Sequence, residues 1–343
     1  MRQTSTITHD SFFKKSFILL IKFSISALII WVLIRTSQLQ FQPLIILIDQ
    51  PAIIASISLL FMVMILANAW RWYRLNSAQN IQLGFLKTFF ITYFGTAFNN
   101  IFPGNIGGDI VRTYYLFRKM PQQKSSIILS VFFDRIMGLM GIFIIISMIA
   151  IFQLSLFNRD KNLFYILLIC MGFSLSGLII FCLSLLFPQE TGISHWLNMR
   201  FPERTWAQSM LSFLKAIDYY RQAKWVIFEC LVASIIIQLL MVVTILMLAQ
   251  AMHFPRLSLA DYMVALGVTQ IANLIPAAPG GLGIGEMAFS KVLLLMNPAL
   301  PAAYATIFIA YRLIGILVYL PGILSATFWA LYSKILNLNA NKL

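Results

Sequence analysis

Apolar positions in this chain neither alternate nor form narrow stripes; they run in long unbroken blocks. The blocks cover about 16–35, 51–72, 125–152, 161–187, 224–250 and 302–333. Each approaches or exceeds the roughly 20 residues that a helix needs to cross about 30 Å of hydrocarbon. Inside hydrocarbon the backbone must satisfy its own hydrogen bonds, so these blocks read as spanning helices. Two further apolar stretches, 84–119 and 260–297, are broken midway by Gly and Pro. The segment 188–223 is more polar and reads as a loop carrying a surface helix at Trp206–Tyr220, its apolar side at headgroup level. The first block follows Lys14 and Lys15 and has no small-residue cleavage site after it, which predicts an uncleaved span. The expected fold class is an all-α polytopic membrane protein. It has about six full spans plus two broken re-entrant hairpins, in a single membrane domain over 1–343.

Charge sharpens this picture. The chain is 60% hydrophobic and only 10% charged, with net charge +14. Soluble domains carry about 25% charged residues. A strongly basic chain raises the question of nucleic acid, but these cations lie in short loops between apolar blocks, as in Arg71, Arg74 and Lys87 or Arg112, Arg118, Lys119 and Lys124. That is the positive-inside pattern, so no nucleic-acid partner is expected. The basic loops predict a bacterial inner (cytoplasmic) membrane protein with both termini cytoplasmic. They also create a difficulty: 71–87 and 112–124 are both basic, yet one apolar stretch joins them. A re-entrant hairpin that enters and leaves on one side resolves it, provided protein or water surrounds its non-helical tip.

The two broken stretches match each other. Asn100-Ile-Phe-Pro103-Gly-Asn-Ile-Gly107-Gly108 and Asn273-Leu-Ile-Pro276-Ala-Ala-Pro-Gly280-Gly281 both fit N-x-x-P-x-x-x-G-G. An acidic residue follows each, Asp109 and Glu286. Further on, Arg135-Ile-Met-Gly138 matches Arg312-Leu-Ile-Gly315, with the second copy longer by the Leu282–Gly285 insert. The spans between the breaks are odd in number, so the halves, about 51–152 and 224–333, are expected to be inverted in the membrane. Paired broken helices in inverted repeats are a frequent transporter design, with the site where the breaks meet. A helix restarting after Gly107-Gly108 or Gly280-Gly281 would present free N–H groups to a phosphate or carboxylate. A kink that serves packing alone is the simpler alternative.

Asp109, Asp134, Arg135, Glu286 and Arg312 lie in or beside apolar segments, where a charge costs about 2.5–3.5 kcal/mol on insertion scales. Such residues pair or line a polar path. Arg135 and Arg312 are expected to pair with Glu286 and with Asp109 or Asp134; ion pairs that merely join the halves are the competing reading. Arg112 is placed at the hairpin mouth, with an interfacial anchor as its alternative. Asn100 and Asn273 can bind freed backbone or a headgroup, as can Asn68, Asn99, Gln238 and Gln270. Arg71-Trp72-Tyr73-Arg74 reads as an interfacial belt of aromatic and basic anchors. Cys170, Cys182 and Cys230 lack metal or redox spacing. Nucleotide-binding loops and zinc-hydrolase motifs are missing, so no catalytic residue, metal or cofactor is expected.

The stretches Asn99–Arg112, Asp134-Arg135, Ile275–Glu286 and Tyr311–Gly315 resemble the lysylphosphatidylglycerol synthase transmembrane-region family, the flippase-like membrane domain of the multiple peptide resistance factor. The P-x-x-P-G-G-L-G-x-x-E run from Pro276 to Glu286 is the most specific part. The resemblance implies handling of a phospholipid or polyprenyl-linked lipid headgroup, as a flippase-like transporter. No lysine transfer is expected, because the soluble aminoacyl-transfer domain has no counterpart here. In this reading the phosphate meets the helix N-termini and Arg112, Arg135 or Arg312, while Glu286 and Asp109 hold a cationic headgroup or a coupling proton. The alternatives are a membrane-embedded transferase on a lipid-linked substrate, or a membrane subunit that needs a partner protein.

Overall fold

The computed structural model describes residues 6–99, 102, 106–152, scattered residues from 161 to 200, 219, 220 and 222–340. The expected span at 161–187 and the surface helix at Trp206–Tyr220 lie largely outside these residues, as do Asn100 and Pro103.

The described residues are helical with no strand, an all-α membrane protein. The helices are α1 Thr6–Arg35, α2 Gln42–Ile48, α3 Pro51–Ala78, α4 Phe85–Asn99, α5 Gly107–Lys119, α6 Lys124–Phe152, α7 Lys224–Ala251, α8 Leu259–Ala272, α9 Ile284–Met296 and α10 Ala305–Ala340. Among them Pro51–Ala78, Pro121–Phe152, Lys224–Ala251 and Ala305–Gly322 are long and apolar enough to span a membrane. Their outward surfaces carry large apolar side chains in the open, among them Leu59, Phe152 and Trp225. Such a continuous greasy exterior is stable against acyl chains and not against water.

Local chemistry explains where the elements start. Pro51 opens α3 at a position whose N–H has no helical partner in any case. Ser258 and Asp261 form a reciprocal capping box on α8: Ser258 Oγ accepts from the Asp261 N–H, and Asp261 Oδ2 from the Ser258 N–H.

Both interrupted stretches fold as helical hairpins, α4 against α5 and α8 against α9. In the first, Gly95 and Gly108 bring the two backbones together. A Cβ on Gly108 would stand 2.8 Å from the Gly95 carbonyl oxygen, so only glycine permits this approach. The hairpin tips meet: the Gly280 N–H donates to the Phe102 carbonyl at 3.1 Å. Around them α3, α6, α7 and α10 pack together, with a core that includes Phe61, Ile146, Ile245, Phe289 and Phe308.

Candidate functional site

The charges around the hairpins fall into three groups, and α3 supplies the first. Arg71 Nε donates to Asp134 Oδ1 at 2.7 Å, and Arg112 NH1 donates to Asp134 Oδ2 at 2.8 Å. One carboxylate thus bridges two guanidiniums. Arg71, Arg112 and Asp134 are all buried. Arg71 is further held by Ser234 Oγ at 2.9 Å and Asn68 Oδ1 at 3.1 Å. Arg112 lies over the Trp72 ring, its guanidinium carbon 4.9 Å from the centroid. Its Nε has no hydrogen-bond partner among the described residues.

The second group joins the first hairpin to α6. Arg135 Nε donates to Asp109 Oδ2 at 2.6 Å. Asp109 sits in the first turn of α5, where the helix dipole favours an anion. The third group joins the second hairpin to α10. Arg312 Nε stands 2.5 Å from Glu286 Oε1, an ion pair not aligned as a hydrogen bond. Arg312 also donates to the carbonyls of Gly280 at 2.6 Å and Gly281 at 3.0 Å, and to Asn273 Oδ1 at 3.2 Å. In both copies, the carboxylate after the Gly-Gly pair meets the arginine of the R-x-x-G helix.

These groups surround one cavity of about 330 Å³, within the usual range for a ligand pocket. The first hairpin contributes Asn99, Asp109 and Arg112; the second contributes Gln270, Asn273 and Gly280. Phe61, Phe308, Tyr311 and Tyr319 form an aromatic wall. Gln238 of α7 and Gln270 of α8 exchange side-chain hydrogen bonds across the cavity at 2.6 and 3.3 Å.

Most of the residues singled out from the sequence come together here. Asp109, Arg112, Asp134, Arg135, Asn273, Gly280 and Arg312 line the cavity. Gly107, Gly108, Gly281 and Glu286 do not line it, and Asn100 lies outside the described residues. The backbone at the second break differs from expectation. The helix restarts at Ile284 rather than directly after Gly281, and the Gly283 N–H donates to Glu286 Oε2 at 2.6 Å. That N–H is therefore capped by the protein's own carboxylate. In the first hairpin the Gly108 N–H likewise goes to Asn99 Oδ1 at 2.6 Å. The polar groups turned to the cavity are thus chiefly guanidiniums and amides.

Sequence reasoning missed Arg71. It looked like an interfacial anchor because the apolar block fades near residue 72. The helix in fact runs on to Ala78, which leaves Arg71 two turns from the end and facing Asp134. The companion Arg74 does take an edge position, half-buried against Glu229 at 2.7 Å. Asn68 one turn before Arg71 on the same helix face was the available signal.

No curated protein and no solved structure matches the chain. A family model does match, over residues 19–322, and it covers both hairpins, all four arginines and the cavity between them. Its description is the Lysylphosphatidylglycerol synthase TM region, so the chain is a membrane protein of a family related to lipid handling and belongs to the Lysylphosphatidylglycerol synthase TM region family.

Proposed function

We propose that this protein is a flippase-like transporter of the bacterial inner membrane that binds the phosphate of a lipid headgroup in the cavity between its hairpins. The observation that carries the reading is the charge balance. Arg71 and Arg112, both buried, share the single carboxylate of Asp134. At that carboxylate one buried guanidinium is left in excess. An uncompensated buried charge is costly, and an incoming phosphate neutralises it. Arg71 spends Nε, NH1 and NH2 on Asp134, Ser234 and Asn68, whereas Arg112 is held to Asp134 through NH1 alone. Guanidinium is also the side chain best matched to a phosphate fork.

The hairpins fit the same reading. Broken helices that meet at mid-membrane let polar backbone line a cavity rather than lipid. The recurrence of N-x-x-P-x-x-x-G-G, carboxylate and R-x-x-G supports two inverted halves, about 51–152 and 224–333, and the basic loops support cytoplasmic termini. The acyl chains would remain in the bilayer while the headgroup passes through the cavity.

The test is leaflet exchange of a fluorescent phospholipid in vesicles that contain the purified protein. Exchange should exceed that of protein-free vesicles and fall at least about tenfold in Arg112→Gln, the equivalent of about 1.4 kcal/mol. Arg112→Gln leaves Arg71 and Asp134 as a neutral pair, so the fold should persist. Exchange no faster than in empty vesicles, or unchanged in this variant, would overturn the proposal.

A further inference from the structure

Around this cavity the carboxylates are already engaged. Asp134 holds Arg71 and Arg112, and Asp109 holds Arg135. Glu286 is completely buried, does not line the cavity, and is held by Arg312 and the Gly283 N–H. No described carboxylate faces the cavity without a cation beside it. Aromatic faces are the other means of holding an ammonium group. Of the wall rings, Phe308 lies 5.2 Å from the Arg312 guanidinium, Tyr311 packs against both Phe308 and Phe61, and Tyr319 meets Phe61 edge-on, so the rings are engaged with Arg312 or with one another. A cationic ligand would therefore find every nearby carboxylate engaged and, at Asp134, two guanidiniums sharing one carboxylate, where a further positive charge is repelled.

What the cavity offers beyond the arginines is uncharged. Gln238 and Gln270 each commit one N–H and one oxygen lone pair to the other, so each amide keeps a further N–H and lone pair. Tyr311 and Tyr319 add phenol groups to the same wall. Amides and phenols donate and accept, which is what a hydroxyl requires of its neighbours. A site built to hydrogen-bond a hydroxyl rejects an analogue that lacks it far more sharply than an apolar pocket does.

We infer that the cavity selects an anionic phospholipid whose headgroup is otherwise uncharged and hydroxyl-bearing, and that it discriminates against headgroups carrying an ammonium group. This rests on the reading that a lipid phosphate sits at Arg112. It departs from what the family description suggests, since a lysyl headgroup is cationic. The phosphate lies at Arg112, and the hydroxyls lie against Gln238, Gln270 and the tyrosines.

The test titrates the purified full chain in neutral detergent with three short-chain lipids: phosphatidylglycerol, lysylphosphatidylglycerol and phosphatidic acid. Phosphatidylglycerol should bind at least about tenfold more tightly than the lysyl lipid. The double variant Gln238→Ala/Gln270→Ala should lose affinity for phosphatidylglycerol and keep its affinity for phosphatidic acid, which has no hydroxyl-bearing head. Tyr319→Phe should move the same ratio to a smaller extent. Equal or tighter binding of the lysyl lipid overturns the inference, and so does a double variant that weakens both other lipids alike. Arg112→Gln separates the two levels. If all three lipids weaken in it while the lysyl lipid binds best to the unaltered chain, the phosphate reading stands and the selectivity fails. If no lipid depends on Arg112, both fall.

Discussion

The two hairpins share a sequence pattern but hold their charges differently. In the second, Arg312 is held on several sides: NH1 and NH2 donate to two glycine carbonyls and the Asn273 amide oxygen, and the Glu286 carboxylate stands beside Nε as an ion pair. The side chains of that pair are 12% and 0% exposed. In the first, Arg135 and Asp109 are 33% and 18% exposed. Beside them Arg112 shares one carboxylate with Arg71 and is held to it through NH1 alone. Equivalent residues therefore serve as a structural lock in one half and as an accessible polar wall in the other. A repeated motif brings the same chemical groups to each site, but the neighbours decide whether those groups are available to a ligand.

The largest effect that would probe this contrast is expected at Asp134. Asp134→Ala leaves Arg71 and Arg112 buried together with no counter-charge. Breaking a buried pair costs about 3–5 kcal/mol, and here two cations lose their partner at once. Thermal unfolding in detergent should show a collapse of the melting transition or a failure to accumulate folded protein.

Next comes the pairwise comparison of Glu286→Gln with Asp109→Asn. Glu286 is fully buried and also caps α9, so its loss should cost about 3 kcal/mol or more. Asp109 pairs with a partly exposed arginine, for which about 0–1 kcal/mol is expected. Melting temperatures should separate the two variants clearly, while lipid exchange should suffer in Asp109→Asn despite its retained stability. Equal destabilisation of the two would erase the distinction between lock and wall.

Gly108→Ala should follow, at about 1–3 kcal/mol, because the added methyl meets the Gly95 carbonyl backbone and forces the first hairpin apart. Limited proteolysis between α4 and α5 would register the loosening along with the lower melting point. The smallest effect is expected at the edge pair of Arg74 and Glu229. Both side chains are about one-third exposed, so Glu229→Gln should shift stability by less than about 1 kcal/mol.

Several residues show how much of this could be read without a fold. The two breaks stand out because Gly and Pro interrupt runs that are otherwise uniformly apolar, and the sequence points Arg135 and Arg312 to Glu286 and to Asp109 or Asp134, while only the packed helices show which arginine meets which carboxylate. Asp134 shows where that reasoning stops. Its partners, Arg71 and Arg112, come from two other helices, one of them 63 residues away in sequence, and no periodicity links them. Arg71 reads as an anchor in the sequence because hydropathy marks where a block fades, not where a helix ends. The N–H groups at the breaks were expected to face a ligand, yet Asn99 and Glu286 cap them from nearby positions. Loop conformation decides that, and composition does not record it.

The sequence alone determined that this protein lives in a bilayer as helices, because the length and composition of an apolar run are weighed directly against the thickness of hydrocarbon. It also determined that two of its stretches break and that costly charges cluster near the breaks. Tertiary structure alone decided which carboxylate serves two arginines, which half is closed, and that all four guanidiniums gather at one cavity. Burial and pairing of charge depend on distances of a few ångströms between helices far apart in the chain, and those distances exist only once the helices have packed.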